Sequence, residues 1–245
     1  MPSARDPAPG GGETSSPAHP VGAVRRVAVM QPYFFPYAGY FRLFAQVDEF
    51  VIFDCVQFPR RGRVHRSEWF EKDGNSEWLT LPLAHKPQHV LIRDLEFAPD
   101  ARVEFDHRLA RLPWLSSGTG PAADRVRDFL HAPMPSVIDY LESGLRLVNE
   151  LLGINTIISR SSALDLDPSL RGQERVLAVL TSRCATHYLN SPGGRNLYDL
   201  PTFERAGIQL DFLPEYQGEF FRLLPALMTV DPKRIREDIE RADVS

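Results

Sequence analysis

The fold class this sequence predicts is α/β: a mainly parallel, Rossmann-like sheet flanked by helices, with a β-hairpin excursion and a helical insertion. Three observations predict it. First, Val27–Met30 and Phe50–Phe53 are short, continuous apolar runs rather than alternating ones, the pattern of strands covered on both faces. Second, Tyr40, Phe41, Leu43, Phe44 and Val47 repeat between them at helical spacing, so strand, helix and strand follow within some thirty residues. That is a βαβ unit, whose strands are parallel and whose crossover is right-handed. Third, the same rhythm returns after residue 152, with a strand from Thr156 to Ile158, a helix from Arg171 to Ala185 and a strand from His187 to Leu189. A short helix around Phe203 and a last strand from Ile208 to Leu213 complete it.

The middle of the chain departs from this rhythm. SEWFEKDGNSEWLTLPL predicts a hairpin, because Asp73-Gly74 separates two aromatic-containing runs. VLIRDLEF predicts a further strand of that excursion. Residues 102 to 152 are helical in pattern and interrupted at Pro113, SSGTGP and HAPMP, the best helix running from Ser136 to Leu152 and stopping at Gly153. A charged helix from Pro232 to Ala242 closes the chain. Residues 1 to 24 are rich in Pro, Gly, Ser and Ala and read as a disordered tail; residues 25 to 245 read as a single domain.

Composition excludes several function classes. The net charge of −4 provides no global basic field, so DNA is not an expected partner. The two cysteines, Cys55 and Cys184, follow no metal or disulfide spacing, and no metal site is expected. No apolar run suits a signal peptide or a membrane span, so the expected compartment is the cytoplasm, with no membrane contact.

In open parallel sheets, ligands bind beyond the carboxyl ends of the strands. Here those ends carry QPYFFPYAGY, DCVQFPRRGRVHR, SRSS and NSPGGRNLYD. The first places the Gln31 amide at a strand end, with Tyr33, Tyr37 and Tyr40 as hydroxyl-bearing walls. Gly39 there either lets a ligand approach or opens the helix, and the phenylalanines read as an aromatic plug at one end of the sheet. In the second, Asp54 ends a strand and Gln57 follows. Arg60, Arg61, Arg63 and Arg66 then surround His65. A strand-end carboxylate facing guanidinium groups suits general-base work or the binding of an amine beside a phosphate, and His65 suits proton transfer. Asp54 and His65 are the candidate catalytic residues. In the fourth, Ser191, a glycine pair and Arg195 suit an anion, although neither a Walker A nor a dinucleotide spacing is met. Cys55 reads as a buried spectator and Cys184 as part of a packed helix; His85, His89 and Asp94 are separated by Pro87 and form no ligand set.

VAVMQPYFFPYAGYFRLFAQVDEFVIFDCVQF resembles the opening signature of the WbqC-like family. Arg175, the loop in CATHYLNSPGGRNLYD, Phe203, Gly207-Ile208 and Tyr216 continue the resemblance in order, from about Arg25 to Tyr216. The matching positions include Gln31, Tyr33, Tyr40, Asp54, Gln57, Arg66, Ser191, Gly193 and Tyr198. The resemblance implies a role in bacterial glycan biosynthesis, such as O-antigen or other surface-polysaccharide assembly, with transfer of glycine or a similar acyl group onto an amino sugar. The sequence departs from the family at Gly62-Arg63-Val64-His65-Arg66-Ser67-Glu68, where the usual Trp, both Asn and the last Arg are missing, and at Cys55, where a second carboxylate is common. These changes point to a different substrate and also fit a secondary-metabolite pathway.

The expected activity is therefore an amide-forming acyl or aminoacyl transfer to an amino sugar or sugar nucleotide, with Arg61, Arg66 and Arg195 on a phosphate and the tyrosines against sugar or base. The acyl donor stays open between a charged tRNA, a carrier-protein thioester and ATP activation, and the cofactor is unassigned. Two alternatives stand beside it: a nucleotide-binding nucleotidyl or adenylate-forming enzyme, and a non-catalytic partner in a glycan-assembly complex.

Overall fold

The computed structural model of the protein describes residues 23–70 and 76–241. In chain order the elements are β1 (Arg26–Met30), α1 (Phe41–Gln46), β2 (Glu49–Ile52), β3 (Arg66–Phe70) and β4 (Ser76–Thr80). Four helices follow: α2 (Ala101–Leu109), α3 (Pro113–Ser117), α4 (Ala123–His131) and α5 (Val137–Leu151). Then come β5 (Ile157–Arg160), α6 (Gly172–Ser182), β6 (His187–Asn190), α7 (Leu200–Arg205), β7 (Gln209–Phe212), α8 (Leu223–Thr229) and α9 (Pro232–Arg241).

Five strands form one sheet in the order β5-β2-β1-β6-β7, and every pairing in it is parallel. Counting the sheet strands along the chain, this is order 3-2-1-4-5, the doubly wound arrangement in which the direction of winding reverses between β1 and β6. The continuous apolar runs are explained by the two faces. Val27, Val29 and Val51 point to one side, where Val176, Val179 and Leu180 of α6 and Phe203 of α7 cover them. Ala28, Phe50 and Ile52 point to the other, into a larger core with Phe41, Leu43 and Phe44 of α1 and Ile235 and Ile239 of α9. Alternating side chains of the same strands thus bury two cores. Phe44 and Phe50 stack with ring centroids 3.8 Å apart at the centre of the second.

The hairpin is present as β3 and β4, antiparallel from Arg66 opposite Thr80 to Phe70 opposite Ser76. Its expected Asp73-Gly74 turn lies outside the described residues, as do residues 1–22 of the expected tail. The helical insertion divides where the prolines and glycines predict. The Ser136 hydroxyl accepts from the Asp139 N–H at the start of α5, and Gly153 takes the left-handed conformation (φ +66°) just past its end.

Two expectations are corrected. VLIRDLEF is not a strand of the hairpin: Ile92–Asp94 forms a 3-10 turn, whose Ile92 and Arg93 N–H groups donate to the Val56 and Asp54 carbonyls, 3.0 Å each. Its backbone is used by the loop after β2, and only the single bridges Gln57–Leu91 and Leu83–Phe97 are sheet-like. Cys184 is not packed in a helix. It is exposed, with φ +52°, just beyond α6. There the Cys184 and Ala185 N–H groups close the helix end on the Thr181 and Leu180 carbonyls, a position glycine usually takes. No helix among the described residues is long and apolar enough to cross a membrane.

Candidate functional site

The four carboxyl-end loops do not form one site. They separate into a tight crevice at the winding reversal and a wide cavity beyond β2 and β5.

The crevice lies between the loops that follow β1 and β6. Tyr33, Tyr37, Tyr40, Arg42, Ser191 and Pro214 are among the residues around a space of about 70 Å³, well below the size of small-molecule pockets. The Tyr40 hydroxyl donates to the Gln31 carbonyl at 2.6 Å, and the Tyr33 and Tyr40 rings lie 5.3 Å apart. Burial raises the pKa of Tyr33, Tyr37 and Tyr40 above the usual phenol value, so all three keep their protons as hydrogen-bond donors. Gly39 admits a protein side chain: a Cβ there would sit 2.6 Å from the Tyr216 Cβ. The aromatic plug is real but packs elsewhere than expected. Phe34 meets Phe105 of α2 and Tyr140 of α5, and Phe35, held at φ +41°, meets Phe129 of α4, so the plug ties the helical insertion to the sheet.

The loop after β6 is a 3-10 turn from Pro192 to Leu197. The Ser191 N–H donates to the Asn190 side chain, the exposed Arg195 guanidinium lies over the Phe212 ring, and the Tyr198 hydroxyl meets the Tyr188 hydroxyl at 3.2 Å. Gly193 is exposed, and a Cβ there would meet nothing within 4 Å.

Two arginines of the basic loop are committed to the hairpin, while Arg60 donates to the Lys86 carbonyl. The Arg66 and Arg63 guanidinium groups lie 4.3 and 5.1 Å over the Trp78 ring, Arg66 also donates to the Gly62 and Arg61 carbonyls, and Arg63 pairs with Glu68 at 2.9 Å. His65 lies inside this arrangement, edge-on to Phe58, with its Nδ1 buried and unpartnered. Burial, and then the charges of Lys86, Arg66 and Arg108, lower its pKa from 6.5 to about 4. The imidazole is neutral at physiological pH. Well above pH 6.5 it is uncharged in both folded and unfolded chains and contributes no pH dependence. Below 6.5 the unfolded chain takes up a proton that the folded one refuses until about pH 4, so stability falls across that window. The urea midpoint of the wild type should therefore drop between pH 7 and 5 by more than that of His65→Leu, and equal drops would refute the assignment.

Asp54 is fully buried and faces serine donors, where the sequence suggested guanidinium groups. Its Oδ1 accepts from the Ser161 hydroxyl at 2.8 Å and the Ser162 N–H at 2.9 Å, and its Oδ2 from the Ser162 hydroxyl at 2.5 Å. The carboxylate thus joins the carboxyl end of β2 to that of β5. Behind that joint the chain opens into a cavity of about 500 Å³, within the range of ligand pockets. Gln57, the one predicted residue on its wall, holds the Gln88 carbonyl at 3.1 Å. Cys55 and His89, set aside from sequence, line the same space, as do Arg93, Arg171 and Arg175. The Cys55 sulfur lies 3.6 Å from Arg93 Nη1 and 3.8 Å from Asp54 Oδ1. Sequence reasoning missed Arg93 by reading its segment as a strand, and Arg171 because its only signal was an Arg-Gly pair opening a helix.

No solved structure matches the chain. The uncharacterized protein Rv1507c of Mycobacterium tuberculosis is similar to it, 27% identical over 204 residues that cover 80% of this chain and 84% of that protein. The WbqC-like protein family matches residues 31–222, which takes in both the crevice and the cavity. The chain belongs to the WbqC-like protein family.

Proposed function

We propose that this protein is a cytoplasmic transferase that forms an amide on an amino sugar or sugar nucleotide, in bacterial glycan or secondary-metabolite biosynthesis. The reaction would take place in the cavity beyond β2 and β5. The observation that carries this reading is that His89 and Arg93 line one cavity of about 500 Å³ at the carboxyl edge of a parallel sheet. Amide formation needs both kinds of group. The acceptor's amine nitrogen attacks the acyl carbonyl, a C–N bond forms, and the bond from that carbon to the donor's oxygen or sulfur breaks. The proton lost by the amine passes to the His89 imidazole and from there to the leaving group. Arg93, whose guanidinium already reaches the cavity floor at Cys55, offers donors to the oxygen on which negative charge develops. Gln57 offers an amide to an uncharged sugar hydroxyl. Asp54, turned to its serines, holds the cavity's floor in place without being the base.

The test is direct. The full chain is incubated with nucleotide-linked amino sugars and with glycyl or acyl donors of three kinds: aminoacyl-tRNA, thioester, and free acid with ATP. The product is read by mass spectrometry as an acylated amino sugar. His89→Gln should slow a detected transfer by roughly a hundredfold or more. No product from any pair, or an undiminished rate in His89→Gln, would overturn the reading. The strand order 3-2-1-4-5 favours a second reading, nucleotidyl transfer on a Rossmann-like sheet, which instead predicts ATP-dependent release of pyrophosphate without an amide product.

A further inference from the structure

The wall of the large cavity is electrostatically one-sided. Among the described residues it carries three arginines, Arg93, Arg171 and Arg175, and no carboxylate, in a chain whose net charge is −4. Two of them stand at the start of α6, an eleven-residue helix with no side-chain cap at Arg171. The first N–H groups of such a helix have no partner within it, and its dipole places positive charge there. Gly172 opens the helix at φ +50°, and a Cβ there would meet nothing within 4 Å, so the backbone faces open space.

An independent observation points the same way. Arg175 is only 7% exposed, and its Nε is buried with no hydrogen-bond partner. Its Nη1 reaches the Asp167 carbonyl at a long 3.3 Å. A buried guanidinium with an unmet donor beside a cavity is costly, and an acceptor entering that cavity, an anion most of all, offsets the cost. Of the nearby carboxylates, Asp94 pairs with Arg93 at 3.6 Å outside the wall, Glu174 is exposed in the first turn of α6, and Asp167 accepts from the Ser169 N–H while attracting the charges of Arg171 and Arg175. Arg171 spends Nη1 on the Pro168 and Leu170 carbonyls, neither of them charged.

We propose that the first turn of α6, with Arg171, Arg175 and Arg93, is the binding site of a phosphate or diphosphate group, the anionic handle of the substrate. Backbone N–H groups at a helix start and planar guanidinium forks both match phosphate oxygens. The inference deepens the transferase reading by locating the phosphates of the sugar nucleotide, and it moves them from Arg61, Arg66 and Arg195 to these three arginines.

The experiment is calorimetric titration of the full chain at low ionic strength with inorganic pyrophosphate and, separately, orthophosphate. Saturable binding is expected. Arg171→Glu, at an exposed position, should weaken it by about tenfold or more, and Arg175→Gln similarly. Arg125→Glu, the same charge change on a helix of the insertion, should leave the dissociation constant within about twofold. If the wild type shows no saturable binding, or if Arg171→Glu and Arg125→Glu weaken it equally, the inference is wrong. Should Arg175→Gln fail to fold, Arg171→Glu alone decides. The two proposals fail separately. Phosphate binding without any acyl transfer leaves this site standing and removes the transferase. Acyl transfer with an unchanged KM for the sugar nucleotide in Arg171→Glu does the reverse.

Discussion

Asp54→Ala should unfold at a temperature roughly 10 °C below the wild type, a loss of about 3–5 kcal/mol. The substitution removes two acceptor oxygens and strands three donors: the Ser161 hydroxyl, the Ser162 hydroxyl and the Ser162 N–H. A buried donor left unmet costs about 1–3 kcal/mol, which applies in full to Ser161 and in part to the half-buried Ser162, and the three are coupled, so the total falls short of their sum. The effect reaches the site as well, because Cys55 follows Asp54 directly and forms the cavity floor. A thermal melt separates this structural role from the general-base role suggested by a lone strand-end carboxylate. A base would give an inactive variant with an unchanged melting temperature, and that result would sink the joint proposed between β2 and β5.

Gly39→Ala should destabilise the protein by about 3 kcal/mol, near the upper end of what one added methyl group costs in a packed interior. The new Cβ would meet the Tyr216 Cβ and Cγ at 2.6 Å, atoms that no rotation of that ring can move away. Tyr216 itself is anchored, since its hydroxyl donates to Asp238 and accepts from the Phe220 N–H. Its neighbours Phe221 and Tyr37 complete the aromatic packing. The urea midpoint measures the loss, and a second variant identifies its cause. In a Tyr216→Gly background, which removes the Tyr216 Cβ and Cγ and leaves only the Tyr37 ring in the way, the same glycine substitution should cost less, because two residues in contact are non-additive. Additive losses would show that the glycine serves something other than this contact.

β1 and β2 were legible from their apolar runs, because a strand buried on both faces leaves an unbroken run that needs no partner to be recognised. β6 and β7 fall within about two residues of the predicted spans, and the break points of the insertion follow from prolines and glycines, whose backbone limits are local. The family was legible for a similar reason, since its signature is one contiguous segment. Of the candidate site only an outline was legible: a ligand-sized cavity does lie at the sheet's carboxyl edge, but the residues there could not be sorted. Asp54 looked like a base because its serines stand more than a hundred positions away in the chain. The basic loop around His65 looked like a charged ligand site because nothing local reveals that Trp78, on the far strand of the hairpin, lies under Arg63 and Arg66. Arg93 and Arg171 were invisible as a pair because they come from different excursions and meet only around the cavity. Hydrophobic periodicity reports whether a residue is buried, which its neighbours along the chain decide. Which polar groups meet is decided by the strand order β5-β2-β1-β6-β7, which brings the ends of β2 and β5 together and closes the space between those of β1 and β6.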